Sequence, residues 1–232
     1  MAILAVFAPG EIIDKYFNLH YGLQYLPHLL YAARLTILLS LVGEFFGIII
    51  GLAMALMRLS HHRLVRAPAV FYINLFRGTP LLVQLMFIYF ALPFAGVNLE
   101  PIQAGMVGLA LNSGAYVAEI FRAGIQSIHR GQMEAARSLG MSHAQAMRYV
   151  ILPQAFRVVI PPLTNEFVAL LKDSSLASVI LVQELAYQMR ALASATYNLT
   201  SYTEAAALYL IMTLPLSKLS DYLEKKLKVV KR

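Results

Sequence analysis

The chain has 232 residues, of which 59% are apolar and only 13% charged, about half the charged fraction usual in soluble domains. With a mean hydropathy of +0.65, such a chain in water would expose large apolar patches and aggregate, whereas a bilayer core favours that surface. The net charge is +7, but the basic residues sit between apolar blocks, which points to membrane topology and lipid headgroups rather than nucleic acid. Cysteine is absent, which excludes disulfides, thiol catalysis and cysteine-based metal sites.

Met1 to Pro9 lack a basic n-region, so no cleavable signal peptide is read there. Five apolar segments follow, about Pro27–Met57, Ala67–Leu92, Pro101–Ile128, Ala155–Ile180 and Ala205–Leu219. They approach or exceed the ~20 residues of a spanning helix and lack the alternation of barrel strands. The expectation is an all-α membrane protein of five transmembrane helices forming a single domain over residues 1–232. The stretch Val182–Thr203 is polar enough to be an external loop with a short helix. The termini are short, leaving no room for a soluble catalytic domain.

Charge placement sets the orientation. The first connector carries Arg58, Arg63 and Arg66 and no acid; the loop after the third segment carries Arg122, Arg130, Arg137, Arg148 and Arg157; the tail carries Lys218, Lys225, Lys226, Lys228, Lys231 and Arg232. The connector Pro93–Gln103 has no basic residue. Positive-inside logic places these basic regions in the cytoplasm, the N-terminus outside and the C-terminus inside. The tail Lys225–Arg232 reads as a headgroup anchor.

The long inside loop, about residues 129–153, holds Gly131-Gln-Met-Glu-Ala-Ala-Arg-Ser-Leu-Gly140 and then Ile151-Leu152-Pro153. This predicts a short helix over Gln132–Leu139, with Glu134 in its first turn, where the helix dipole favours an anion. Gly140 is placed to end it in a left-handed conformation. A further helical stretch, Ala144–Val150, should stop before Pro153. A helix with a small-residue face at Ala135 and Ala136 suits a partner's groove, and equally suits lying on the membrane surface.

The Glu-Ala-Ala, three residues, Gly, then Ile-Leu-Pro arrangement resembles the coupling loop of permease subunits of bacterial ATP-binding-cassette (ABC) importers. Phe76-Arg-Gly-Thr-Pro-Leu81, Asn112-Ser-Gly-Ala-Tyr116 through Gly124, and Asn165-Glu-Phe167 through Leu176 resemble the polar, His/Gln/Arg-type amino-acid branch. The likeness runs from about Leu29 to Leu223. It implies the type I importer permease fold, a bacterial cytoplasmic membrane location and a homo- or heterodimer of permeases. It also implies two cytoplasmic ATP-binding subunits and an extracytoplasmic amino-acid-binding protein. The coupling residues would be Glu134, Ala135, Ala136, Ser138, Leu139 and Gly140. ATP and Mg would be used by the partner, because this chain has no Gly-x-x-x-x-Gly-Lys-Ser/Thr loop; no cofactor or metal is expected on the chain itself.

Helical rise places Arg77 ~15 Å, Asn112 ~16 Å and Glu166 ~16 Å into a core ~30 Å thick. A cation, an amide and an anion at one level suit a zwitterionic amino acid. Pro80 should kink the second segment beside Arg77, and freed backbone groups at such breaks commonly face a cavity. Arg77 suits, ahead of substrate contact, a structural ion pair with Glu119 or Glu166 or a role in dimer packing. Asn112, Tyr116 and Glu119 share one stripe; Asn112 and Tyr116 suit substrate contact or helix–helix hydrogen bonding, and Glu119 a structural role. Glu166 shares a face with Leu170 and Asp173, and a buried carboxylate there would accept an ammonium or guanidinium group. Pro161 and Pro162 fit at or before a helix start. Glu44 should pair with a loop arginine. Lys172, Asp173, Ser174 and Ser175 suit interfacial hydrogen bonds or an external gate, and His61, His62, His129 and His143 show no metal geometry. An ATP-independent channel or secondary carrier would need no coupling helix. An intramembrane enzyme would need a nucleophile–base pair or metal cluster that the sequence lacks.

Overall fold

Asn18 opens the main bundle. Its side-chain oxygen accepts from the backbone N–H groups of His20 and Tyr21, capping a helix that runs from Leu19 to Arg58. In this computed structural model, which describes residues 9–227, a short helix α1 (Pro9–Tyr16) precedes that long helix α2. The stretch Met1–Ala8, read for a signal peptide, and the tail cations Lys228, Lys231 and Arg232 lie outside the described residues. Because of the Asn18 cap, α2 begins well before Pro27 and carries that proline inside.

The second apolar segment is two helices, α3 (Arg63–Gly78) and α4 (Leu81–Met86), followed by a π turn (Phe87–Ala91) and a 3-10 turn (Leu92–Ala95). The two halves meet at 107°, the break expected at Pro80. Then come α5 (Pro101–Gln126), α6 (Arg130–Ser138), α7 (His143–Ala146), a second π turn (Met147–Ile151) and α8 (Leu152–Asp173). A 3-10 turn (Ser174–Ile180), α9 (Leu185–Thr196) and α10 (Thr200–Leu227) complete the chain. No strand occurs among the described residues. α2 and α5 are long and apolar enough to cross a bilayer, and the bent pair 63–95 makes a third such span. α8 and α10, with 22 and 28 residues, are more polar but exceed the ~20-residue spanning length.

Two expectations about the helices need correction. The helix over Ala144–Val150 does not stop before Pro153; it widens into a π turn and continues as α8. The amide of Leu152 donates to Met147 O, one residue further back than in an α-helix, and Pro153, which lacks an N–H, follows at once. The same device precedes Pro93, where the Leu92 amide donates to Phe87 O. A wider turn makes room for a ring that would otherwise press on the preceding turn. Pro161 and Pro162 lie inside α8 rather than at a helix start. A start there would strip a first turn of N–H groups of partners at membrane depth, whereas two internal prolines forfeit only two bonds. The stretch Val182–Thr203 does hold the short helix expected of it, α9, and it packs firmly: Val182, Glu184, Leu185 and Ser201 are all buried.

Glu184 explains that packing. Its carboxylate accepts from the amides of Ala186 (2.9 Å) and Tyr187 (2.8 Å), capping α9, and also from Thr36 Oγ1 of α2 (3.3 Å) and the Tyr209 hydroxyl of α10 (3.1 Å). One buried side chain thus clips three helices together.

The main seam lies between α2 and α5. Gly43, Gly47 and Gly51, one helical turn apart, face Leu109, Ser113 and Val117, the close approach that small residues permit in membranes. A Cβ on Gly51 would stand 2.5 Å from Val117 Cγ1 and 2.9 Å from the Ala118 backbone nitrogen. Gly51→Ala is therefore expected to lower the thermal midpoint of the purified protein, by overpacking of ~1–3 kcal/mol. Gly78→Ala, where nothing lies within 4 Å, should not lower it; equal midpoints for both variants would contradict the seam.

Candidate functional site

The break between α3 and α4 releases carbonyls that water cannot reach in a bilayer core, and each needs a donor. The Gln84 amide supplies it. Its nitrogen donates to Phe76 O (2.8 Å), Thr79 O (3.0 Å) and Thr79 Oγ1 (2.9 Å). Its oxygen accepts from Asn112 Nδ2 at 2.9 Å. Asn112 is buried and braces Gln84, so it fastens the break to α5. Gln84 was not singled out from the sequence; an amide four residues after Gly-Thr-Pro was the available signal.

Arg77 precedes the break. Its guanidinium lies over the Tyr116 ring, 5.4 Å from the centroid, with Nη1 3.4 Å from Glu119 Oε2. Of the two ion-pair partners considered, Glu119 is the one observed. Glu119 also takes Arg58 from the end of α2, and Arg122, whose Nη2 lies 2.9 Å from Oε2 and whose Nε lies 3.1 Å from Oε1. Three guanidinium groups from α2, α3 and α5 thus converge on one carboxylate. Beside them a cavity of about 420 Å³ opens between α5 and α8, lined by Glu119, Ile120, Ala123, Val158 and Pro162 among others.

Glu166 is half-buried on α8. Glu44 does not pair with a loop arginine. It is buried, Ser113 Oγ donates to its Oε2 at 2.9 Å, and its Oε1 has no partner among the described residues. The glycine seam explains this: Gly47 lets α2 and α5 approach so closely that Ser113, not a long cation, reaches the carboxylate. Arg77, Tyr116 and Glu119 therefore meet beside the break, which Asn112 braces through Gln84.

At the α6 end, a hook projects from the bundle. Glu134, Ala135, Ser138, Leu139 and Gly140 are exposed, and Leu139 exposes 81% of its surface. Only Ala136 of this set is buried. The Gly140 amide donates to Arg137 O and the Met141 amide to Ala136 O, with Gly140 at φ +86°. This is the left-handed helix stop expected of Gly140. Gln154 of α8 donates to Gln132 of α6 at 3.5 Å, and to Val150 O within its own helix at 2.8 Å. The result is an exposed leucine beside a capped helix end, outside the packed bundle.

A broken helix, a polar mid-bundle region and a protruding hook together define a membrane permease moved by a partner. The chain belongs to the family described as binding-protein-dependent transport system inner membrane component, which matches residues 47–229. It is 42% identical over 198 residues to a probable glutamine ABC transporter permease protein, GlnM, of Bacillus subtilis, covering 85% of this chain and 90% of that one. It is 39% identical over 211 residues to a probable amino-acid ABC transporter permease protein, YckA, of the same organism, covering 90% and 93%. A solved structure described as an amino acid ABC transporter with histidines superposes with a TM-score of 0.85 at 45% identity, covering 89% of this chain and 97% of that one. The fold is that of the type I importer permeases, and the chain is the membrane translocation component, working with a separate ATPase subunit.

Replacing Gln84 by Leu would leave Phe76 O, Thr79 O and the Asn112 amide without their partner. At ~1–3 kcal/mol for each stranded group, the thermal midpoint of Gln84→Leu should fall clearly below wild type. An unchanged midpoint would show that the break does not depend on this amide.

Proposed function

We propose that this chain is the permease subunit of an importer for polar amino acids, basic ones included, in the bacterial cytoplasmic membrane. Two such subunits, identical or mixed, pair with two ATP-binding subunits and receive the amino acid from an external binding protein. The N-terminus faces outward and the C-terminus the cytoplasm, so that the hook around α6 meets the ATPase. The exposed α6 tip, stopped by Gly140 and touching α8 through Gln132 and Gln154, is the observation that carries this reading.

Glu134, Ala135, Ala136, Ser138, Leu139 and Gly140 form the coupling surface. ATP and its Mg ion bind the partner. Closure of the ATPase pair pushes the hook, α8 transmits the motion, and the bundle alternates between outward and inward access. The substrate ligands are Glu166 for a cationic or amino group, Arg77 and Tyr116 beside it, and Asn112 at the edge. The relatives described as glutamine and amino-acid permeases support the substrate class.

Two experiments test this in liposomes holding the chain with its partners. Gly140→Val forces a β-branched residue into a left-handed backbone, so it should reduce uptake at least about tenfold relative to ATP hydrolysed, leaving the binding protein's affinity unchanged. Uptake that needs no ATP would instead favour a channel or secondary carrier. Glu166→Gln should weaken transport of arginine relative to glutamine by about 10-fold or more, the scale of a lost charge-assisted hydrogen bond. An unchanged ratio would remove Glu166 from the site.

A further inference from the structure

A second cavity, of about 720 Å³, lies at the opposite end of the bundle from the hook. It sits between the outer part of α2, the first turn of α5 and the corner that leads into α9. Two helices fix its level. On α2 its lining begins at Pro27, where the apolar segment begins, and on α5 at Glu100, the N-cap. Both helices are spans, so the cavity lies where they leave the hydrocarbon core, at headgroup depth.

The lining is sorted along the helices. His28 and Glu100 stand at the bilayer edge, and Gln183 and Gln188 join them from the corner. Leu35 lies ~10 Å deeper along α2, with Ala32, Ile102 and Leu181 completing an apolar wall. No lysine or arginine is among the described residues that line the cavity. Leu30 and Leu38, exposed on α2 beside this wall, face the bilayer, so the space is continuous with lipid. An occupant that fits is apolar at one end, polar at the other, and carries a cation opposite Glu100.

Leu181 gives an independent indication. The 3-10 turn Ser174–Ile180 stops as the hook does: the Leu181 amide donates to Ser178 O and the Val182 amide to Ala177 O. Leu181 thus takes the place that Gly140 takes there, at φ +66°, where a side chain crowds its own backbone and glycine does not. Glu184, three residues on, is clipped to α2 and α10, which keeps the corner from relaxing. Yet the leucine exposes 57% of its surface, so packing within the chain does not offset the strain. Strain held at an exposed side chain that lines a cavity marks a contact with a bound molecule.

We infer that this cavity is a binding site for a phospholipid with an amine headgroup. Glu100 accepts from the ammonium group, His28 and the two glutamine amides donate to the phosphate, and an acyl chain runs past Leu181 and Ile102 to Leu35. The lipid wedges between α2 and α5 and ties the corner to both. It belongs to the outer leaflet in the orientation proposed above; the inference is otherwise independent of the transported substrate.

The test follows the thermal midpoint of the assembled, delipidated importer in detergent as dioleoyl phosphatidylethanolamine is added. Wild type should show a saturable rise of about 5 °C at about a hundredfold excess over half-saturation. Leu181→Gly removes the side chain from a conformation that glycine adopts freely. It should therefore keep at least the wild-type midpoint without lipid and lose most of the lipid-dependent rise. Ile102→Gln, at an exposed first-turn position, should lose it too. Dioleoyl phosphatidylglycerol, which brings Glu100 no cation, should raise the wild-type midpoint far less. No saturable rise in wild type, or a full rise in both variants, would overturn the site. Equal rises with the two lipids would overturn the amine headgroup. A rise produced instead by arginine or glutamine, and lost in the same variants, would overturn the lipid and make the cavity part of the substrate route.

Discussion

The structure depends on one constraint: a backbone group released inside a bilayer must find a partner within the protein. The amide of Gln84 meets it for the α3–α4 break, and Asn112 holds that amide from α5. Without this pair, a 107° turn at membrane depth would leave carbonyls facing hydrocarbon. With it, the turn becomes a fixed feature that presents Arg77 to Tyr116 and Glu119. The break therefore turns an apolar segment into a wall of the polar region.

The two π turns obey the same constraint. Each sits immediately before a Leu-Pro pair, at Leu92-Pro93 and Leu152-Pro153. The second lies where the hook joins α8. A continuous α-helix there would clash with the proline ring, and a full break would detach the hook from the bundle. A widened turn does neither, so α6 and α7 stay mechanically continuous with a helix that carries Glu166. A displacement of the hook by a partner is thus delivered to the polar region through a single covalent and hydrogen-bonded element.

The sequence made the elements legible wherever local chemistry decides them. The five-segment order, the kink at Pro80 and the left-handed stop at Gly140 all follow from proline, glycine and apolar length, and the described helices agree. Side-chain partners were less legible. For Glu44, charge alone points to an arginine, whereas the Gly43-Gly47-Gly51 spacing brings Ser113 to it instead. Gln84 and Glu184 were missed for a related reason: each is a polar residue in or beside an apolar stretch whose role exists only once two or three helices have met. Pro161 and Pro162 favour a helix start in water, but inside a membrane beginning a helix leaves more N–H groups unpaired than two internal prolines forfeit, and both lie within α8.

These features give the bundle unequal rigidity along its length. The glycine seam of α2 and α5 and the Glu184 clip join α2, α5, α9 and α10 by contacts that leave no slack: a single methyl group at Gly51 would meet backbone. The elements bearing Arg77 and Glu166 are held differently. Arg77 touches the cluster at 3.4 Å and α8 passes through two prolines and a π turn. If the hook transmits motion as proposed, α8 and the α3–α4 break will take it up before the seam yields. A transporter needs this division, because alternating access requires one part that stays fixed while another moves past it. The polar groups proposed to touch the amino acid lie along the boundary between the two parts, where a small displacement changes which of them face each other.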